Sequence, residues 1–297
     1  MQIRVKSIFK LIKQAFSEWQ QDKASMLAAA LAYYTVFSIA PLLVIAIAIA
    51  GAVFGQDAAQ GEIVSQINQL VGQEGAEAIE MILANADRPE LGSLASIISV
   101  VVLFIGASGV FAQLQEALNT VWNVEAKPNA GIWEFIRKRL LSFGMVLAIG
   151  FLLLVSLVLS AILSGIGKLE INLLPGFTPL WQLVNFVISF GSISLLFALI
   201  YKYLPDAKIR WKDVWVGAII TALLFTIGKS LIGLYLGRGS LGSAYGAAGS
   251  LIVFLAWVFY SAQILLFGAE FTQVYARKYG KKILPDSQAE FSQFSNK

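Results

Sequence analysis

Neither cysteine nor histidine occurs anywhere in the 297 residues. Without cysteine there is no disulfide, no thiolate metal site and no cysteine nucleophile. Without histidine the commonest metal ligand and the commonest general base near neutral pH are both missing. Zinc hydrolases and Ser-His-Asp enzymes therefore fall away first, and the chain is read as a non-enzyme that needs no metal or cofactor. Charge is scarce as well. Asp, Glu, Lys and Arg make up 13% of the chain, against roughly a quarter in soluble domains. What fills the space is apolar: 58% of the residues are hydrophobic, the composition of a membrane protein.

The stretch Ala28 to Gly55 carries no charge and is built largely from small residues. It exceeds the roughly 20 residues that a helix needs to cross a bilayer. Pro41 within it cannot donate to the carbonyl of Phe37 and crowds that turn, so a kink is expected there. Ser38 is close enough in sequence to help satisfy the freed carbonyl. Tyr33, Tyr34, Thr35 and Ser38 form a polar turn just before the proline, and Gly51 with Gly55 makes a GxxxG pair suited to close helix contact. A small, polar face of this kind serves either packing alone or a substrate cavity.

Residues 1–26 interleave Ile8, Ile12, Phe16 and Trp19 with Arg4, Lys6, Lys10 and Lys13, which predicts an amphipathic helix on the anionic cytoplasmic leaflet or packed beneath the bundle. Residues 56–91 are acidic and fit one or two short amphipathic helices in an outer loop. A second span begins near Gly92 and continues as helix to Trp122, with Gln113, Glu116 and Asn119 in a polar strip at its inner end. Further spans are expected at about Leu141–Leu163, Leu180–Leu199, Val214–Leu236 and Ser250–Tyr275, the fifth ending in a second GxxxG pair, Gly233 and Gly237. The sequence thus predicts an all-α, polytopic bundle of six transmembrane helices over residues 27–279, with a disordered tail from 280 to 297.

Lys and Arg set the orientation. The segments assigned to the inner side hold 18 of them and the outer segments 3. That bias places both termini in the cytoplasm and explains the basic balance without nucleic acid. Lys229 falls within the fifth span and Glu270 within the sixth, at depths about 15 Å apart by helical rise. Ionisable groups at such positions are functional candidates by default. Gln263 and Arg277 share a face with Glu270, which lies near the depth of Glu116. These groups either line a polar inner cavity or are each satisfied by their own neighbours.

Four stretches, AAALAYYTVFSIAPLL, GASGVFAQLQEALNTVWNV, YKYLPDAKIRWKDVWVGAIITALLF and GKSLIGLYLGRGSLGSAYGAAGSLIVFLAWVFYSAQILLFGAEF, resemble the YihY/BrkB family of bacterial inner-membrane proteins over about Ala15 to Tyr279. The resemblance implies a multi-pass inner-membrane protein, from a family discussed in connection with serum resistance and with transport of envelope lipids. An older ribonuclease label in that family does not suit these residues. No histidine is present for a metallo-β-lactamase-type site, and most acids lie on the outer side, away from RNA.

The leading expectation is a transporter or translocase of envelope lipid or another anionic substrate. Its candidate substrate-binding residues are Tyr33, Tyr34, Ser38, Gln113, Glu116, Asn119, Lys229, Gln263 and Glu270, with Pro41 as the kink. The expected partners are membrane lipids, an anionic lipid or small-molecule substrate, and a second copy or an envelope partner. The alternative is a non-transporting scaffold of an envelope complex, using the N-terminal arm and the outer helices as docking surfaces.

Overall fold

The computed structural model of the chain describes residues 5–71, 73–84, 94–127, 178–238, 249–280, 283–286 and 289–292. The third expected span, 141–163, lies outside them. The described helices are α1 (Val5–Gln21), α2 (Ala24–Phe54), α3 (Gln56–Val71), α4 (Gln73–Ala84), α5 (Leu94–Trp122), α6 (Thr178–Tyr203), α7 (Trp211–Arg238) and α8 (Gly249–Tyr279). Short strands β1 (Val124–Ala126), β2 (Ala207–Lys208), β3 (Leu284–Pro285) and β4 (Ala289–Phe291) lie at helix ends and in the tail. Among the described residues, α2, α6, α7 and α8 are long and apolar enough to cross a membrane. The 29-residue α5 lies antiparallel to α2, since Ser38 meets Gly106 and Tyr34 lies by Gly109.

α1 and α2 are separated only by Asp22 and Lys23, with Lys23 in the left-handed region at φ 52°. The helix α2 runs on through Pro41 to Phe54. Gly55, at φ +88°, ends it in a conformation that a side chain would strain. The expected close-packing pair is therefore not one: Gly55 is a terminator, and a side chain at Gly51 would meet Gln56 at the start of α3. The second expected pair, Gly233 and Gly237, lies where side-chain surroundings are outside the description. The acidic loop folds as two helices, α3 and α4. Ile79 of α4 is buried with Leu43 of α2 and Phe254 of α8, so this pair of helices caps one end of the bundle.

The opposite end gathers the N-terminus and the tail. One buried cluster joins Leu11 and Ala15 of α1 to Phe271 and Val274 of α8. Ser7 and Tyr279 share a hydrogen bond, and Arg277 pairs with the buried Glu18. Within the tail expected to be disordered, the described residues 283–286 and 289–292 carry two short strands. β4 pairs antiparallel with β1, and β3 pairs antiparallel with β2. Backbone pairing needs no apolar pattern, so composition carried no sign of it.

The main core combines Ala24, Ala28 and Leu31 of α2, Ala117, Leu118, Val121 and Trp122 of α5, and Phe197, Ala198 and Tyr201 of α6 with α7 and α8. Alanine recurs because helices in lipid gain little from apolar burial as such and associate instead by close approach. Among the described residues, α7 and α8 approach one another closely. A methyl group at Gly217 would collide with Thr272, one at Gly268 would collide with Thr221, and one at Gly228 would collide with Tyr260. These three pairs follow one antiparallel register along the two helices.

Candidate functional site

The nine candidate residues separate into three settings. Tyr33, Tyr34, Ser38, Gln113 and Glu116 follow the seam between α2 and α5. Ser38 is buried and donates to the carbonyl of Gly106 at 2.7 Å. It thus ties the two helices together, in place of serving the carbonyl freed by Pro41 on its own helix, which was the expectation from sequence. Gly106 also faces Pro41: a side-chain carbon there would lie 2.9 Å from the proline Cγ. One turn further along α5, a side-chain carbon at Gly109 would lie in ordinary contact with Ser38 Oγ at 3.4 Å and Tyr34 Cδ1 at 3.8 Å. Tyr33 stacks edge-on to Tyr34 and tilts against Phe37, with ring centroids 5.9 and 4.9 Å apart. Tyr33 is 62% and Tyr34 42% exposed, although both sit inside an apolar span. Gln113 is half-buried and Glu116 is exposed on the same helix.

Asn119 belongs to a different structure. Its Nδ2 donates to Asp206 Oδ2 at 2.9 Å, and its Oδ1 accepts from the Asp206 backbone amide at 2.8 Å. Gln115 Nε2 donates to the other Asp206 oxygen at 3.1 Å. The Asp206 carbonyl accepts in turn from the amide of Asp286 in the tail at 2.9 Å. Asp206 therefore joins the end of α5, the turn after α6 and the C-terminal tail. Next to it, the Asp213 carboxylate accepts from Arg210 Nε at 2.9 Å and holds that guanidinium above its ordinary range.

The groups on α7 and α8 are not brought into one site. Gln263 donates to Ser25 Oγ at 2.8 Å, while Arg277, two heptads further along the same face, is committed to Glu18. Gln263 and Arg277 thus have private partners on α2 and α1. Glu270, between them on that face, is completely buried. Lys229 is half-buried on α7 and lies level with Tyr260 through the neighbouring Gly228 contact. Ten residues of α8 then separate it from the level of Glu270, about 15 Å of helix. Glu116 is exposed and Glu270 buried, so these two acids occupy different environments.

Sequence reading passed over the junction at Tyr201. Its hydroxyl lies 2.9 Å from Thr221 Oγ1 and 2.7 Å from the Leu265 carbonyl, linking α6, α7 and α8. The Gly217-x3-Thr221 and Gly268-x3-Thr272 spacings were the available signal, a small-residue pattern four apart. Asp206 offered none, because its partners on α5 are 87 and 91 residues away.

A bundle of long apolar helices with buried polar ties between them is that of a multi-pass helical membrane protein. The family model for virulence factor BrkB matches residues 15–291, and the chain belongs to that family. The chain is similar to curated UPF0761 membrane proteins. It is 28% identical to one from Verminephrobacter eiseniae, covering 86% of this chain and 59% of the relative. It is 28% identical to one from Mannheimia succiniciproducens, covering 87% of each, and 28% identical to one from Pseudomonas aeruginosa, covering 84% of this chain and 58% of the relative. The chain thus spans just under three fifths of the first and third of these relatives. No solved structure matches.

Proposed function

We propose that the chain is a six-span inner-membrane transporter or translocase, with both termini cytoplasmic, that moves an envelope lipid or another anionic substrate without altering it chemically. The observation that carries this reading is the α2–α5 seam. Two tyrosines stand exposed within an apolar span, Tyr34 facing Gly109 next to Ser38, and Gln113 and Glu116 follow Gly109 at helical spacing along α5. A lipid crossing a bilayer needs a polar track for its headgroup while its tails stay in hydrocarbon. A line of polar groups along an otherwise apolar pair of helices suits that need. Lys229 supplies a cation inside α7 that an anionic group would favour.

Asn119 and Gln263 leave the set of substrate candidates, because each holds a neighbouring element in place. The gathering of α1, the inner end of α5, and the tail at one end agrees with a shared side for both termini. Purified protein in proteoliposomes tests the reading. Protein-dependent transfer of a fluorescent anionic phospholipid between leaflets is expected, and transfer no faster than in protein-free vesicles would count against it.

A further inference from the structure

The helix α1 has two apolar faces. One is covered: Leu11 and Ala15 are buried against Phe271 and Val274 of α8, and Glu18 is held by Arg277. The other is bare. Phe9 is 69%, Ile12 44% and Phe16 49% exposed, three large side chains on one stripe, with Phe16 stacked on Trp19 at 5.5 Å. Lys10 and Lys13 are both exposed beside that stripe. This stripe shares Ile12 and Phe16 with the Ile8, Ile12, Phe16 and Trp19 line that periodicity suggested, but takes in Phe9, while Trp19 turns partly into the core.

We propose that this outer face of α1 binds the anionic lipid surface of the leaflet at its end of the bundle, the aromatic stripe entering the headgroup layer and Lys10 and Lys13 meeting the lipid phosphates. Three observations commit the face to lipid. Only Asp22 and Lys23 link α1 to the span α2, so the helix cannot leave the membrane boundary. The exposed stripe is aromatic and aliphatic with flanking lysines, the composition that partitions into anionic interfaces. The opposite face is already seated on α8, so one orientation is fixed. Glu18–Arg277 and the Ser7–Tyr279 hydrogen bond hold α1 on α8 in this orientation. The inference stands apart from the proposed transport activity.

The absence of cysteine makes the test direct, since Phe9→Cys provides a single site for an environment-sensitive fluorophore in the full chain. The labelled protein is reconstituted in nanodiscs of phosphatidylcholine alone or mixed with phosphatidylglycerol, with brominated acyl chains as quenchers. Quenching is expected to be stronger in the anionic discs, and Lys10→Gln and Lys13→Gln each to lower the apparent affinity for phosphatidylglycerol about fivefold. Intrinsic tryptophan emission and elution volume verify that the variants stay folded. Equal quenching in neutral and anionic discs, or none in either, would overturn the proposal. So would shielding that depends on protein concentration, which marks a second copy on this face. No outcome depends on whether the protein moves lipid.

Discussion

Thr221 of α7 occupies the space that a side chain at Gly268 of α8 would need, and four residues along each helix Thr272 does the same to Gly217. The two threonines are completely buried and turn their hydroxyls back onto their own helices, Thr221 to the Gly217 carbonyl at 2.8 Å and Thr272 to the Gly268 carbonyl. Each glycine is therefore both the acceptor of one threonine and the socket of the other. Close approach of the two backbones depends on all four residues.

Gly268→Ala or Gly217→Ala should accordingly destabilise the protein by about 1–3 kcal/mol, the usual cost of overpacking. Thermal unfolding in detergent measures it. Gly191→Ala on α6 is the control, because nothing lies within 4 Å of a side chain there. It should be neutral or stabilising by up to about 1 kcal/mol through helix propensity. Equal losses at Gly191 and Gly268 would contradict the interlock.

The tie between Asn119 and Asp206 makes a separate claim. Asn119→Ala removes two hydrogen bonds from the turn that receives the tail. Faster hydrogen exchange is expected at the amides of Asp286 and Ser292, which donate to Asp206 and Asn123. The cost should be roughly 1.5–3 kcal/mol for losing a bond to the carboxylate. Lipid movement should survive, since Asn119 acts on the tail. Lost transport with unchanged tail protection would return Asn119 to the substrate path.

The proposed topology assigns the two ends of the bundle to opposite sides of the membrane. Single cysteines at Lys278 and at Glu80 should react with impermeant reagents from opposite faces of the membrane, Lys278 from the cytoplasm. Labelling of both from one side would contradict the six-span, termini-in topology.

Much of this architecture is written in the apolar runs. The expected spans at 28–55, 180–199, 214–236 and 250–275 each fall largely within α2, α6, α7 or α8, because a bilayer imposes length and apolarity that any window reveals. The end of α5 at Trp122 was equally readable. What lay hidden was pairing across the chain. Ser38 was placed against its own helix on sequence distance, yet its partner Gly106 is 68 residues away. The tail looked disordered because its strands are held by backbone bonds to β1 and β2, which leave no mark in composition. Of the candidate residues, Tyr34 and Ser38 meet Gly109 and Gly106 of α5, the helix that carries Gln113 and Glu116, a pairing that sequence distance does not reveal. Lys229 and Glu270 share no setting, since helical rise alone keeps their levels about 15 Å apart.

Leaflet-to-leaflet transfer of a fluorescent anionic phospholipid in proteoliposomes is the most direct test of the seam, comparing wild type with Gly109→Ala and Gly109→Leu. At Gly109 a methyl group would make ordinary contacts, 3.4 Å from Ser38 and 3.8 Å from Tyr34, whereas the longer leucine side chain would press into the seam. Transport along the seam requires protein-dependent transfer that Gly109→Ala retains and a folded Gly109→Leu loses. Transfer that is absent in wild type, or undiminished in folded Gly109→Leu, would contradict it.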